Sequence, residues 1–283
     1  MSVNITKSDG ETEPFDIRKL VHSLLHAGAT EIAAEAIARD VEKELWNGIS
    51  TQEIYARAFK RLREHKKGVA ARYSLKRSVM EFGPSGFPFE AYLSELFRAE
   101  GFKTEIDQIV QGACVEHEVD VVIHKPGEIT YAEAKFHNTV GFKTDLKTVL
   151  YVSARIMDIR EMHKNSTKRE ERITVSGLVV TNTKFTDKAL QYSQCQGLEL
   201  LGWDNPGGST LHERIEKHAL YPVTALTSLS SREKMALLSR KVVLCRTLPE
   251  QGAALREAGI TGKRADEVLS EVGSLCYPEK DIQ

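Results

Sequence analysis

The spacing of apolar residues predicts that the first segment of the chain is mainly helical. Val3 and Ile5 alternate with polar residues before the turn Ser8-Asp9-Gly10, a pattern typical of a short β-hairpin. From Asp16 onward, apolar residues recur every three or four positions, which indicates one buried face of a helix. Helices are therefore expected from Asp16 to near Gly28 and over about residues 31–46, 52–65 and 68–81.

The spacing changes after the stretch FGPSGFP at residues 82–88, where two glycines and two prolines interrupt regular structure. Apolar positions beyond it predict a helix, three strands, a long helix, a strongly apolar strand, a helix and a final strand. The expected ranges are about 88–100, 103–111, 118–124, 129–136, 143–162, 173–181, 186–195 and 198–203. This order of elements implies an α/β fold built on a mixed sheet.

A third segment follows a second break, Asn205-Pro206-Gly207-Gly208, and its residues 211–283 have helical spacing throughout. Ala258-Gly259-Ile260-Thr261 resembles the connection of a helix–turn–helix, after which Lys263 and Arg264 could contact DNA. A dimerisation or lid element is the alternative for this segment. The chain is thus expected to comprise regions 1–84, 85–208 and 209–283.

Composition excludes several classes of protein. The chain of 283 residues has a formal net charge of −1, so no overall positive field indicates a polyanionic partner. Its four cysteines form no CxxC pair, which argues against a zinc site or a disulfide framework. No stretch is apolar and long enough for a signal-peptide core or a membrane span, and we expect a cytoplasmic protein.

Positive charge is nevertheless concentrated in one stretch. Nine Lys or Arg residues and one acidic residue, Glu64, lie between Arg57 and Arg77. Such a run is either a solvated helix face or a surface that contacts the phosphate backbone of a nucleic acid. The candidate DNA-binding residues within it are Lys66, Lys67, Arg72, Lys76 and Arg77.

Charged residues also occur on two of the predicted strands, in the stretch VDVVIHKPGEITYAEAKFHN at residues 119–138. Glu133 and Lys135 lie on one face of a strand, because alternate residues share a face. Asp120 interrupts an apolar strand, where a carboxylate is costly unless it is paired or bound to a metal. A hairpin through residues 125–128 would bring Asp120 close to Glu133, and two carboxylates suit Mg²⁺. A cross-strand ion pair between Asp120 and Lys135 is the alternative.

This arrangement, with Glu90 on the preceding helix, resembles the PD-(D/E)xK phosphodiesterase superfamily, especially Mrr-like restriction endonuclease domains. The resemblance covers about residues 85–205 and implies an α/β/α layer structure. It also implies that Asp120 and Glu133 bind Mg²⁺ or Mn²⁺, with Glu90 as an auxiliary and catalytic ligand. Lys135 would orient the attacking water.

The first segment resembles a second family, the ATP-cone nucleotide-binding domain. The resemblance spans residues 1–82 and depends on the stretches KSDG, FDIRK, GISTQEIY and RYSLKR. A basic residue beside a glycine turn and a helix N-terminus is a suitable phosphate site. The nucleotide-binding residues that the resemblance implies are Lys7, Glu13, Asp16, Lys19, Thr51 and Tyr55.

Together these resemblances imply a metal-dependent DNA endonuclease with a domain that binds ATP or dATP as an effector, acting in defence against foreign DNA. Cleavage of both strands of a duplex needs two active sites, so a homodimer is expected. One alternative is a structure-specific repair or junction nuclease. Another is a nucleotide-responsive DNA-binding regulator whose nuclease fold is inactive.

Overall fold

The structure is a computed structural model that describes residues 3–7, 10–139, 141–166 and 173–277. The expected turn residues Ser8 and Asp9 lie outside the described residues. The chain forms two compact units, Met1–Val79 together with Tyr221–Gln283, and Met80–Leu220. Residues 211–220 therefore belong to the second unit, although their sequence pattern grouped them with the C-terminal region. The division of the chain into regions 1–84, 85–208 and 209–283 stays a prediction.

The first unit begins with a small sheet and a group of helices. Its elements up to Met80 are β1 (Asn4–Thr6), β2 (Thr12–Pro14), α1 (Ile17–His26), α2 (Glu31–Glu42), β3 (Ile49–Ser50), α3 (Thr51–His65), α4 (Lys67–Tyr73) and α5 (Leu75–Met80). Strand β1 pairs antiparallel with β2 and parallel with β3. The core between the helices includes Leu24, Ala34, Val41, Ile49 and Leu62, all fully buried.

Three details of this segment differ from the sequence-based expectation. Strand β3 was not predicted, because two residues are too few to show an alternating pattern. Helix α2 ends at Glu42 rather than near residue 46. The expected helix over 68–81 is interrupted at Ser74, whose hydroxyl donates to the Ala71 carbonyl and competes with helical hydrogen bonding.

The C-terminal part of the first unit is less helical than its sequence indicates. It contains α10 (Ser231–Leu238), α11 (Gly252–Glu257), α12 (Lys263–Cys276) and 3₁₀ turns at Val223–Ala225 and Cys245–Glu250. The buried Glu271 on α12 accepts hydrogen bonds from the backbone of Thr227 and Ser228, which lie just before α10. Lys67 on α4 forms a 2.6 Å ion pair with Glu267, so this part packs against the N-terminal helices.

The second unit contains a mixed sheet between helices. Its elements are α6 (Phe87–Ala99), β4 (Lys103–Gln111), β5 (Glu116–Lys125), β6 (Glu128–Lys135), β7 (Lys143–Thr144), α7 (Leu146–Ser166), β8 (Thr174–Thr181), β9 (Lys184–Phe185), α8 (Asp187–Gln196), β10 (Glu199–Leu201) and α9 (Leu211–Lys217). The strand order in the main sheet is β10-β8-β6-β5-β4. Strands β4, β5 and β6 are antiparallel neighbours, whereas β6, β8 and β10 run parallel. The small pair β7–β9 was not predicted.

Helices cover both faces of this sheet. Val122 and Tyr131 belong to a core cluster with Val149 and Ile156 of α7. The neighbouring positions point to the other face, where Ile123 and Thr130 line a pocket with Phe97 of α6. The chain therefore has the mixed α/β architecture that its sequence predicts, with mainly helical segments before and after the central sheet.

In the described part of the chain, every helix is too short or too polar to cross a lipid bilayer.

Candidate active site

The antiparallel register of β5 and β6 places Asp120 opposite Glu133. Val121 pairs with Ala132. Because the strands are antiparallel, Asp120, one residue before Val121, lies opposite Glu133, one residue after Ala132. Residues directly opposite each other in an antiparallel pair point to the same face of the sheet. Lys135, two residues beyond Glu133, shares that face, which is the face covered by α7. The structure thus brings together the three residues that the sequence singled out on these strands.

Glu133 is the most deeply buried of these charges, at 5% exposure. The Lys135 ammonium lies 2.6 Å from Oε1 of Glu133. The guanidinium of Arg155, on α7, contacts Oε2 through Nη1. Each carboxylate oxygen therefore has its own cation, which offsets the cost of burying the charge.

Asp120 has a different environment. Its Oδ2 accepts a 2.6 Å hydrogen bond from the backbone N–H of Ala134. The pKa of Asp120 is raised to about 6, first by burial and then by the nearby Glu133 carboxylate, against the lowering effects of the Ala134 hydrogen bond, Lys135 and Arg155. The alternative interpretation, an ion pair between Asp120 and Lys135, differs from the structure, in which Lys135 pairs with Glu133.

Glu90 lies in the first turn of α6, and its carboxyl is close enough to Asp120 and Glu133 to be repelled by their charges. The pKa of its carboxyl is raised to about 7, first by burial and then by repulsion from Asp120, Asp107, Glu118 and Glu133. In the described residues, Glu90, Asp120 and Glu133 do not bring three carboxylate oxygens within 4.8 Å of one another. Glu90 is therefore near the Asp120–Glu133 pair without completing a three-carboxylate cluster.

Sequence reasoning missed Arg155. Its side chain is 10% exposed and donates from Nη2 to the Tyr151 hydroxyl at 3.1 Å, with the guanidinium 4.9 Å from the centre of the Tyr151 ring. Both residues lie four positions apart on α7, the spacing of one helix face. That spacing was visible in the sequence, but only the tertiary fold shows that the face is directed at Glu133.

A loop beside this face is fixed by one carboxylate of α7. Asp158 accepts hydrogen bonds from the backbone N–H groups of Cys114 and Val115 and contacts Nε2 of His117 at 2.8 Å. The His117 contact and the Cys114 and Val115 hydrogen bonds lower the pKa of Asp158 to about 2. A β-carbon at Gly112 would lie 2.1 Å from Oδ2 of Asp158 and 2.7 Å from the backbone oxygen of Val115, so the loop favours glycine there. The β4–β5 connection is thus held to α7.

The residues expected to bind a nucleotide fall into connected groups in the first unit. Glu13 is bridged by Lys7 at 2.9 Å and Lys19 at 3.0 Å. Asp16 caps α1 by accepting from the Arg18 N–H at 2.9 Å. Glu13, Asp16 and Lys19 line an open pocket of about 480 Å³.

Two more of these residues lie on α3. Thr51 is the first residue of α3. Ser50 before it pairs in parallel with Thr6, so Thr51 and Lys7 are the next residues of two neighbouring strands. Tyr55 stacks on Tyr73, with 5.0 Å between ring centres. The structure therefore places Lys7 near the N-terminus of a 15-residue helix.

The basic stretch does not form a uniform cationic face. Lys67 is paired with Glu267, and Arg72 donates to the Ala27 carbonyl at 2.9 Å. Arg57 and Arg61 both pair with Glu44. Lys66 and Arg77 are exposed and Lys76 is half-buried. A DNA-binding role for Lys66, Lys67, Arg72, Lys76 and Arg77 stays a prediction.

Comparison with known proteins identifies the family. An uncharacterized protein of Archaeoglobus fulgidus is 35% identical over 180 residues, which are 63% of this chain and 97% of that protein. A model described as AF1548-like, C-terminal, matches residues 221–276. The chain belongs to the AF1548-like family. The solved structure of the protein of unknown function AF1548 is 32% identical, with a TM-score of 0.55, over 69% of this chain and 100% of that one.

Two further family models match other parts of the chain. An ATP cone domain matches residues 3–80, and a restriction endonuclease domain of the Mrr type matches residues 84–205. Both resemblances inferred from the sequence are therefore confirmed. The MspJI restriction endonuclease, solved in complex with a 27-mer oligonucleotide, is 19% identical, with a TM-score of 0.35, over 72% of this chain and 40% of that one.

Proposed function

We propose that this chain is a metal-dependent DNA endonuclease whose restriction endonuclease domain hydrolyses phosphodiesters. The observation that supports this most strongly is the placement of Asp120 opposite Glu133, with Lys135 on the same face of the sheet. Two carboxylates and one ammonium on neighbouring strands supply the ligands and the positive charge that such hydrolysis needs.

The residues present fit a hard divalent cation, Mg²⁺ or Mn²⁺. Such ions prefer carboxylate oxygens, and Asp120 and Glu133 offer them from adjacent strands. Asp120 uses Oδ2 for Ala134, while its Oδ1 has no hydrogen-bond partner in the part of the chain that the structure describes. The pKa of Asp120 is raised first by burial and then by repulsion from Glu133, and a bound cation would offset both effects. Glu90 would act as an auxiliary ligand through water.

The chemistry follows from this arrangement. A divalent ion held by Asp120 and Glu133 would supply an acidified water at neutral pH. Lys135 would orient that water by a hydrogen bond and stabilise the negative charge that develops on the phosphoryl oxygens. Hydrolysis would join the water oxygen to phosphorus as the bond to the leaving oxygen breaks, with the water losing one proton to solvent and the leaving oxygen gaining one from it. Asp120 and Glu133 would hold the ion.

The ATP-cone domain supports a regulatory role for ATP or dATP. The lysines Lys7 and Lys19 would neutralise phosphates, and Glu13 and Asp16 would accept hydrogen bonds from adenine or ribose. Thr51 and Tyr55 would complete the site from α3. DNA would be held by the exposed cations of the basic stretch, and we propose a cytoplasmic homodimer that acts against foreign DNA.

A plasmid-nicking assay tests the proposal. Wild-type protein with Mg²⁺ or Mn²⁺ should convert supercoiled plasmid to nicked or linear forms, and ATP should change the rate. Lys135→Ala should lower the rate about 100-fold to 1,000-fold, because a charge-stabilising donor is lost. Lys103→Ala, which removes an exposed lysine of β4 paired with Glu105, is the matched control and should cleave normally. Cleavage by Lys135→Ala at the wild-type rate contradicts the proposal.

One observation favours the inactive-fold alternative. Both oxygens of Glu133 contact cations of the protein itself, Lys135 and Arg155. In a DNA-binding regulator without nuclease activity, these ion pairs would persist because Glu133 has no metal to bind. Absence of cleavage by the wild type on linear, branched and single-stranded DNA, together with DNA binding that responds to ATP, would support that alternative.

A further inference from the structure

Both oxygens of Glu133 already contact cations of the protein, so a divalent ion bound to Glu133 would compete with them. Lys135 contacts Oε1 and Arg155 contacts Oε2, and the carboxylate is 5% exposed. Two carboxylates, Asp120 and Glu133, and two cations, Lys135 and Arg155, sum to zero charge. A divalent ion added to this group meets two positive charges at short range, where repulsion is weakly screened.

Of the two cations, Arg155 is the one whose contacts leave it an alternative position. Its Nη2 donates to the Tyr151 hydroxyl and its guanidinium lies over the Tyr151 ring. Tyr151 is 59% exposed, so the Arg155 guanidinium can stay stacked on its ring at the solvent-facing edge of the site. The buried Nε of Arg155 has no hydrogen-bond partner among the described residues, so the present position leaves one donor unused.

We infer that Arg155 is a positioning residue that occupies the Glu133 oxygen needed by the metal, so that the Arg155–Glu133 pair and metal binding exclude each other. This inference rests on the proposed metal-dependent function. Arg155 stabilises the buried carboxylate when no metal is bound and lowers the affinity for metal by the same competition. Once displaced, its guanidinium remains close to the site, stacked on Tyr151.

The competition predicts an unusual result for a mutation beside a metal site. Arg155→Met removes the competing charge, so Mn²⁺ affinity, measured by calorimetry and by the electron paramagnetic resonance signal of free Mn²⁺, should rise about tenfold or more. The melting temperature without metal should fall, because Glu133 loses a partner, and Mn²⁺ should raise it by more than in the wild type.

Three further variants make the measurement specific. Arg155→Gln keeps a donor for Glu133 without the charge, so it folds more readily and should also bind Mn²⁺ more tightly. Arg155→Lys keeps the charge and should remain near the wild-type affinity. Arg160→Met removes an arginine of the same helix that donates to the Val175 carbonyl, and its Mn²⁺ affinity should not change.

The outcomes separate this inference from the proposed function. Mn²⁺ binding by the wild type that neither Arg155→Met nor Arg155→Gln strengthens overturns the inference and leaves the metal-dependent function in place. Absence of Mn²⁺ binding by the wild type and by both variants overturns the inference and the metal-dependent function together. Binding by the variants alone supports the inference.

Discussion

The Asp120 carboxylate accepts a 2.6 Å hydrogen bond from the backbone N–H of Ala134, the residue between Glu133 and Lys135. This bond holds the Asp120 side chain of β5 against the backbone of β6, whose N–H group has a fixed position in the strand. The position of Asp120 is therefore determined by the same strand that supplies the other two charged groups.

This relationship predicts different effects for two substitutions of Asp120. Asp120→Asn keeps an oxygen that can accept from Ala134 but loses the charge. Because burial raises the pKa of Asp120 to about 6, its ionised form is disfavoured in the folded state, and Asn should not lower the free energy of unfolding at pH 7. Asp120→Ala should be less stable than Asp120→Asn by about 1–2 kcal/mol, since it leaves a buried N–H unpaired.

Urea unfolding of both variants checks this difference, and both should lose Mn²⁺ binding and plasmid cleavage. Equal stability of the two variants would show that the Ala134 bond contributes nothing measurable.

A second prediction concerns the packing of α7 on the sheet. A β-carbon at Gly177 would lie 2.6 Å from side-chain carbons of Ile156 and Leu198, closer than atoms can approach. Gly177→Ala should therefore lower the free energy of unfolding by about 1–3 kcal/mol through overpacking. Gly207→Ala, where a β-carbon meets nothing within 4 Å, is the control and should change stability little. Equal unfolding curves for the two variants would argue against this packing.

A third prediction concerns acid stability. The pKa of Asp158 is held at about 2 in the folded state by its contacts with His117, Cys114 and Val115, below its ordinary value of 3.8. A carboxyl with a depressed folded pKa stabilises the fold above its unfolded pKa and loses that contribution as pH falls toward the folded pKa. Between about pH 4 and pH 2, stability should therefore fall more steeply in the wild type than in Asp158→Asn. Urea unfolding at several pH values checks this, and parallel curves would contradict it.

A fourth prediction concerns nucleotide binding to the ATP-cone domain. A ligand that binds only the folded state raises stability, by about 2.7 kcal/mol when its concentration is 100 times its dissociation constant. ATP or dATP should therefore raise the melting temperature of the wild type. Lys7→Ala and Lys19→Ala should weaken that rise, because each removes a cation beside Glu13. Lys43→Ala, an exposed lysine paired with Asp40, is the control. Equal shifts in all four proteins would argue against this site.

Much of the fold could be predicted from the sequence where a pattern is long. The central strands and the long helix were expected within a few residues of their bounds, because alternation and helical spacing extend over eight or more positions in β5, β6 and α7. The two-residue strands β3, β7 and β9 were missed, since their pairing depends on neighbours distant in sequence. The C-terminal region was expected to be helical throughout, with a turn at residues 258–261, but buried contacts such as those of Glu271 accompany short helices and 3₁₀ turns there.

The sequence by itself determined which residues the candidate site contains on its strands. A carboxylate within the apolar strand β5, and an acid and a lysine two positions apart on β6, are chemically costly there unless they act together. Tertiary structure alone decided how they are paired: Lys135 contacts Glu133 rather than Asp120, and Arg155 reaches Glu133 from a helix more than 20 residues away. The physical reason is that the alternation of side chains along a strand is a local property. Which side of α7 lies against the sheet depends instead on core contacts between residues far apart in the chain.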